Sequence, residues 1–202
     1  MDMHLAQGLR RALPALAFAF LTSAYTSAMK NPEIKHNPTP KKRYDITLTV
    51  DGAPGPFDSI SGFVEYKVAN DECVPLQPIS GATIAPEEKV PVVFKHEKDN
   101  IYIGTIYADL MQDEDYFGLG ICHWQVVAAS AVLKNNAVEF SPAIFHKDIT
   151  AQHAVSTYFV KGDYTDSTKP HSAFGTTNRS LFQPESRTDL FTVTLAAKED
   201  FQ

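Results

Sequence analysis

Catalytic signatures are what this sequence has least of. No Gly-Xaa-Ser-Xaa-Gly elbow occurs, so a serine nucleophile on a strand-to-helix turn is without support. His96-Glu97 begins like a zinc-protease motif, but position 100 is Asn and the ligand pair is incomplete. A glycine-rich phosphate loop is missing as well. There are only two cysteines, Cys73 and Cys122, and they do not form a CxxC, which leaves dithiol redox chemistry and zinc without their usual spacing. The seven histidines are scattered. His123, His146 and His153 fall near expected strands, where a lone histidine is more often structural than catalytic. After Ala28 no i, i+3, i+4, i+7 pattern is sustained, which argues against long amphipathic helices. The chain is therefore expected not to be an enzyme, and no cofactor or metal is expected.

The start of the chain points to export. Arg10 and Arg11 precede the apolar run Ala12 to Leu21, and Thr26-Ser27-Ala28 supplies small residues for cleavage. That layout predicts a secretory signal over residues 1–28, too short in its apolar part to span a bilayer. No cysteine stands at its exit, so a lipid anchor there is not expected. Removing the segment takes away two Arg and one Asp, leaving a chain one unit more acidic than the whole-chain charge of −6. An acidic chain suits a basic protein partner better than nucleic acid or anionic lipid. In an oxidising compartment an even cysteine count reads as a disulfide, here Cys73–Cys122.

Residues 29–42 are polar, with three prolines and four lysines, and predict a flexible leader. A single domain is expected over residues 43–202. Period-two alternation begins at Tyr44–Val50 and returns at Phe63–Val68. Val74–Glu88, with three prolines and Gly81, reads as an irregular crossover. Val90–His96 and Ile101–Asp109 predict a hairpin around Glu97–Asn100. Leu119–Leu133 is a long apolar strand holding Cys122 and Trp124, and Ala137–Phe145 follows the Asn135-Asn136 turn. Val155–Val160 and Leu190–Leu195 are the remaining strands, separated by loop over Asp163–Gln183. Short strands between turn signals predict an all-β fold: an antiparallel β-sandwich, immunoglobulin-like in architecture. Trp124 lies two residues after Cys122, so the two share a face and Trp124 is expected beside the bridge. Immunoglobulin domains place their Trp between the cysteines in sequence, and this chain does not.

One loop stands out for its chemistry. Asp109, Asp113, Glu114 and Asp115 precede Tyr116 and Phe117. Calcium wants six to eight oxygens, but the spacing lacks the Gly and Glu of the EF-hand loop. A plain solvated loop would explain the acids alone. Aromatics beside exposed charge are also what an interface anchor looks like. Asp113, Glu114, Asp115, Tyr116 and Phe117 are therefore the expected partner-binding residues.

Three segments carry a resemblance: Tyr44 to Phe57, Asn70 to Gly81, and Tyr107 to Trp124. They resemble small exported proteins found as paralogues in xanthomonad-type and other Gram-negative genomes. These are similar to periplasmic immunity proteins encoded beside antibacterial effectors of type IV or type VI secretion. The resemblance spans about Tyr44 to Phe145 and supplies no catalytic residues. It implies a periplasmic location and a cognate secreted effector, a lipase or peptidoglycan hydrolase, as partner. The alternative is an exported sandwich that binds carbohydrate or another small ligand, using Tyr102, Tyr107 or Tyr116. An enzyme with an unfamiliar site near His123 is the remaining possibility.

Overall fold

The computed structural model describes residues 32–165 and 169–201; the expected signal over residues 1–28 lies outside them. The alternating segments form strands. One sheet holds β1 (Arg43–Asp51), β5 (Ile101–Tyr107), β9 (Val155–Val160) and β12 (Leu190–Glu199), edged by β4 (Lys95–Lys98) and β11 (Gly175–Thr176). Its order is β11-β9-β12-β1-β5-β4. The second sheet runs β10-β7-β6-β2-β3, with β8 also on β6. Its strands are β2 (Ser59–Val68), β3 (Glu87–Val92), β6 (Trp124–Asn135), β7 (Val138–Phe140), β8 (Ala143–Phe145) and β10 (His171–Ser172). All pairings are antiparallel except β10 with β7. The helices, α1 (His146–Thr150) and α2 (Lys161–Thr165), are five residues each.

The expected hairpin of Val90–His96 with Ile101–Asp109 is divided between the sheets. Glu87–Val92 pairs with β2, whereas Lys95–Lys98 pairs with β5. The chain changes sheets at Val93-Phe94, and Phe94 is buried in the corner. Pro91 removes one ladder donor on this edge, where proline is tolerated. The opposite side repeats the device, with β10 in one sheet and β11 in the other, three residues apart in register with β7 and β9. The expected strand Ala137–Phe145 is likewise broken, at Ser141-Pro142, into β7 and β8.

The inward faces carry the pattern that the sequence announces. Tyr44, Ile46, Leu48 and Val50 of β1 meet Phe191, Val193, Leu195 and Ala197 of β12 within one core. Val64 and Tyr66 face them from β2. Each such side chain, fully removed from water, contributes about 1.5–3 kcal/mol. β6 changes phase midway: Glu65 pairs with Ala128 and Tyr66 with Val126, leaving Val127 as an extra residue. This bulge lets Val126 and then Ala129, Ala131 and Leu133 all face inward. Phe140, Phe159 and Phe191 pack together with ring centroids 5.2–5.4 Å apart. Phe57 joins them edge-on. Tyr66 is buried, and its hydroxyl donates to the Tyr107 carbonyl at 2.7 Å. Burial pushes this phenol well above its ordinary value.

Cys73 and Cys122 form the disulfide, with their Cα atoms 5.3 Å apart. Cys73 ends a turn just after β2, and Cys122 stands just before β6. Those strands are neighbours in one sheet, so the bridge ties two strand ends together rather than pinning sheet to sheet as in immunoglobulin domains. Val68, Val74 and both cysteines form a small second core, and Trp124 packs against it.

Candidate functional site

The acidic loop lies at this disulfide end, and its carboxylates are engaged within the chain. Asp113 Oδ1 accepts the Trp124 backbone N–H at 2.9 Å, and Oδ2 lies 2.7 Å from His123 Nδ1. Asp115 Oδ1 accepts three backbone N–H groups, from Gly118, Leu119 and Gly120, at 2.7–3.3 Å. Glu114 Oε1 pairs with Lys35 Nζ at 2.6 Å, which raises the Lys35 pKa through that hydrogen bond and the opposite charge. The Glu114 backbone bridges Cys122. Asp109 accepts the backbone N–H groups of Lys41 and Lys42. Bonds from backbone N–H to a carboxylate are the stronger part of this set; the exposed Lys35–Glu114 pair is screened by solvent and salt.

Tyr116 and Phe117, expected as exposed anchors, are half-buried against the disulfide core. The Tyr116 hydroxyl donates to the Gln112 carbonyl at 2.7 Å, and its ring meets Trp124 edge-on at 6.3 Å. The five expected residues are thus brought together, as a brace around the bridge. Tyr102 and Tyr107 lie elsewhere: Tyr102 packs on His96 at the β4–β5 edge, and Tyr107 holds the Tyr66 hydroxyl. His146 opens α1, and His153 follows it in the turn to β9.

Residues 32–42 belong to the same assembly, whereas the sequence reading places them in a flexible leader outside the domain. His36 bridges Met111, Asn37 N donates to the Leu110 carbonyl at 2.7 Å, and Gln112 N donates back to Lys35. The lysines and prolines that suggest a solvated tail are edge residues of a strand-like segment laid along 109–114. Between this segment and the loop lies a cleft of about 510 Å³, lined by Asn37, Lys42, Asp109, Met111, Asp113 and Trp124 among others. The Trp124 indole N–H is buried and has no hydrogen-bond partner, and the same is true of Glu114 Oε2. Among the described residues, no three His, Cys, Asp or Glu side chains are grouped to hold a metal ion.

Sequence reasoning missed a second feature of this end. Leu76, Ile79 and Ile84 are exposed at 64%, 102% and 67%, and Leu119 and Ile121 at 54% each. The first three sit on the segment that leaves Cys73, and the last two on the loop that enters Cys122. Asn70, at the turn that leads into Cys73, ties that turn to the second loop by donating its side-chain N–H to the Ile121 carbonyl at 2.9 Å. The signal was present: from Val74 to Pro86 the sequence has no charged residue.

Comparison of the chain with family models, with curated proteins and with solved structures finds no match.

Proposed function

We propose that this chain is a periplasmic immunity protein, exported by its signal segment. It binds a cognate antibacterial effector and blocks an activity aimed at the cell envelope, that of a lipase or a peptidoglycan hydrolase. In this reading the chain does no chemistry of its own. The observation that carries it is the exposure of Leu76, Ile79, Ile84, Leu119 and Ile121 on two loops whose bases are joined by one disulfide. Single exposed aliphatics are ordinary on any protein; several on adjoining loops are the mark of an interaction surface. Covalent anchoring reduces the freedom these loops lose on binding, which favours affinity. The acidic balance of the chain favours a basic partner. Asp113, Glu114, Asp115, Tyr116 and Phe117 enter as the brace that sets the position of residues 118–121.

The test is capture with tagged chain from Met29 onward, made in an oxidising compartment, followed by titration into the activity assay of whatever is bound. An envelope-directed enzyme recovered in stoichiometric amount and silenced at one equivalent supports the reading. Failure to recover one from cells that express such enzymes, with no growth defect on deleting the gene in kin competition, removes it.

A second reading, an exported module for carbohydrate or another small ligand, is favoured by the cleft beside Trp124. Trp124 is the sole tryptophan, so its emission reports the cleft directly. Titration with N-acetylglucosamine oligomers into the millimolar range should shift that emission if this reading holds; an unchanged spectrum ends it for such sugars.

A further inference from the structure

We propose that the hairpin Val74–Pro86 is the inserting element of this protein, with Ile79 as its anchor, and that it enters an apolar cleft rimmed by basic side chains on the partner. The inference rests on the binding reading above and names the surface and the partner's chemistry.

Three observations converge on this segment. It is built to hold its shape without a core. Leu76 bridges Thr83, Gln77 N donates to the Ala82 carbonyl at 2.8 Å, and Gly81 N donates to the Gln77 carbonyl at 2.9 Å. Gly81 takes φ +67°, a conformation that a side chain would strain. Pro75, Pro78 and Pro86 restrict the remaining backbone. At its base, Ala85 and Val74 pack on the disulfide core, and Val68 N donates to the Pro86 carbonyl at 3.1 Å. A hairpin so constrained loses little conformational entropy when it docks.

The outward side chains are the wrong ones for a solvated turn. Ile79 stands at the tip, fully exposed, flanked by Leu76 and Ile84. Turns in water favour Asn, Asp, Gly and Ser for their local hydrogen bonds. An isoleucine in that place contributes nothing to the fold and gains only when another surface covers it.

Charge narrows the occupant. The hairpin is neutral, but acids stand on both sides of its base: Asp71 and Glu72 before it, Glu87 and Glu88 after it. Of these, Glu87 pairs with Lys67. A second copy of this chain, docked face to face, would oppose these acids to one another. An anionic bilayer would repel them. A protein cleft with an apolar floor and Lys or Arg at its rim complements both the tip and the base.

The experiment places a benzophenone amino acid at position 79 of the full chain, expressed in the source cells. It is paired with Ile79→Asp and, as a control away from this end, Leu181→Asp. Both positions are exposed, so both variants should keep the wild-type melting temperature. The expected result is a crosslink from position 79 into a substrate cleft of the bound protein, near Lys or Arg. Ile79→Asp should weaken binding by about 30-fold or more, as for a central anchor, with Leu181→Asp unchanged. A partner that binds the wild type and Ile79→Asp equally well overturns the proposal and leaves the immunity reading standing. Crosslinks to phospholipid or to a second copy of the chain overturn it as well. If the wild type captures and inhibits no protein, the reading beneath it falls too.

Discussion

The Asp113 carboxylate spans the entrance to β6, holding the Trp124 backbone N–H with one oxygen and the His123 ring with the other. This turns the acidic loop from a set of free charges into part of the frame. Asp113→Ala should therefore lower stability by about 1–2 kcal/mol with no partner present, whereas Asp113→Asn, which keeps an acceptor for Trp124, should lose less. Urea denaturation of the two variants checks this. Equal stability of Asp113→Ala and wild type would return the loop to the solvated-charge reading.

Reduction of the disulfide should be costly. Cys73 and Cys122 lie 49 residues apart, and closing a loop of that length restricts the unfolded chain by about 4 kcal/mol in the chain-entropy account. The double variant Cys73→Ala, Cys122→Ala should show most of that loss in chemical denaturation, with an unchanged far-ultraviolet spectrum below the transition.

The corner at Phe94 makes a sharp distinction between two glycines. A Cβ on Gly62 would lie 2.4 Å from the Ser130 carbonyl oxygen and 2.6 Å from the Phe94 ring. On Gly104 it would meet side chains only, Val92 at 2.7 Å and Phe94 at 3.1 Å. Side chains can shift where a paired backbone cannot. Gly62→Ala is expected to cost about 3 kcal/mol and Gly104→Ala about 1 kcal/mol; thermal melts of both variants would reverse the argument if the order were inverted.

High pH should unfold the protein through Tyr66. Its folded pKa is raised by burial, so above the ordinary value of about 10 the unfolded state releases a proton that the folded state retains. Stability is then constant below about pH 10 and falls above it, with a slope approaching 1.4 kcal/mol per pH unit for this one group. Tyr66→Phe should flatten that slope while losing the hydrogen bond to Tyr107 at neutral pH. Denaturation midpoints measured from pH 8 to 11.5 give both effects.

The two-sheet fold was legible because its strands have one wet face. Tyr44–Val50, Phe63–Val68, Val155–Val160 and Leu190–Leu195 alternate cleanly, and each is a strand in the structure. The pairing of Cys73 with Cys122 and the place of Trp124 beside it were legible from compartment and spacing. Changes of sheet were not. Val90–His96 reads as one strand because the residue pattern does not register which neighbour each half will bond, and the turn at Val93-Phe94 costs no glycine. The five loop residues were found together, but their orientation was hidden: acids beside aromatics look alike whether they face a partner or cap backbone N–H groups. The leader was misjudged for a similar reason, since Lys and Pro suit an edge segment as well as a tail. The apolar hairpin was passed over because three prolines draw attention to irregularity and away from what the irregular segment exposes.

The position of the bridge has one more consequence, in the face of hostile proteases. The exposed turn Gln77–Ala82 lies inside the covalent loop that Cys73 and Cys122 close. A cut there leaves two polypeptides that stay attached, with every strand still held in its sheet. The nicked protein should migrate as two fragments only after reduction, and a single wound at this exposed turn leaves the molecule assembled.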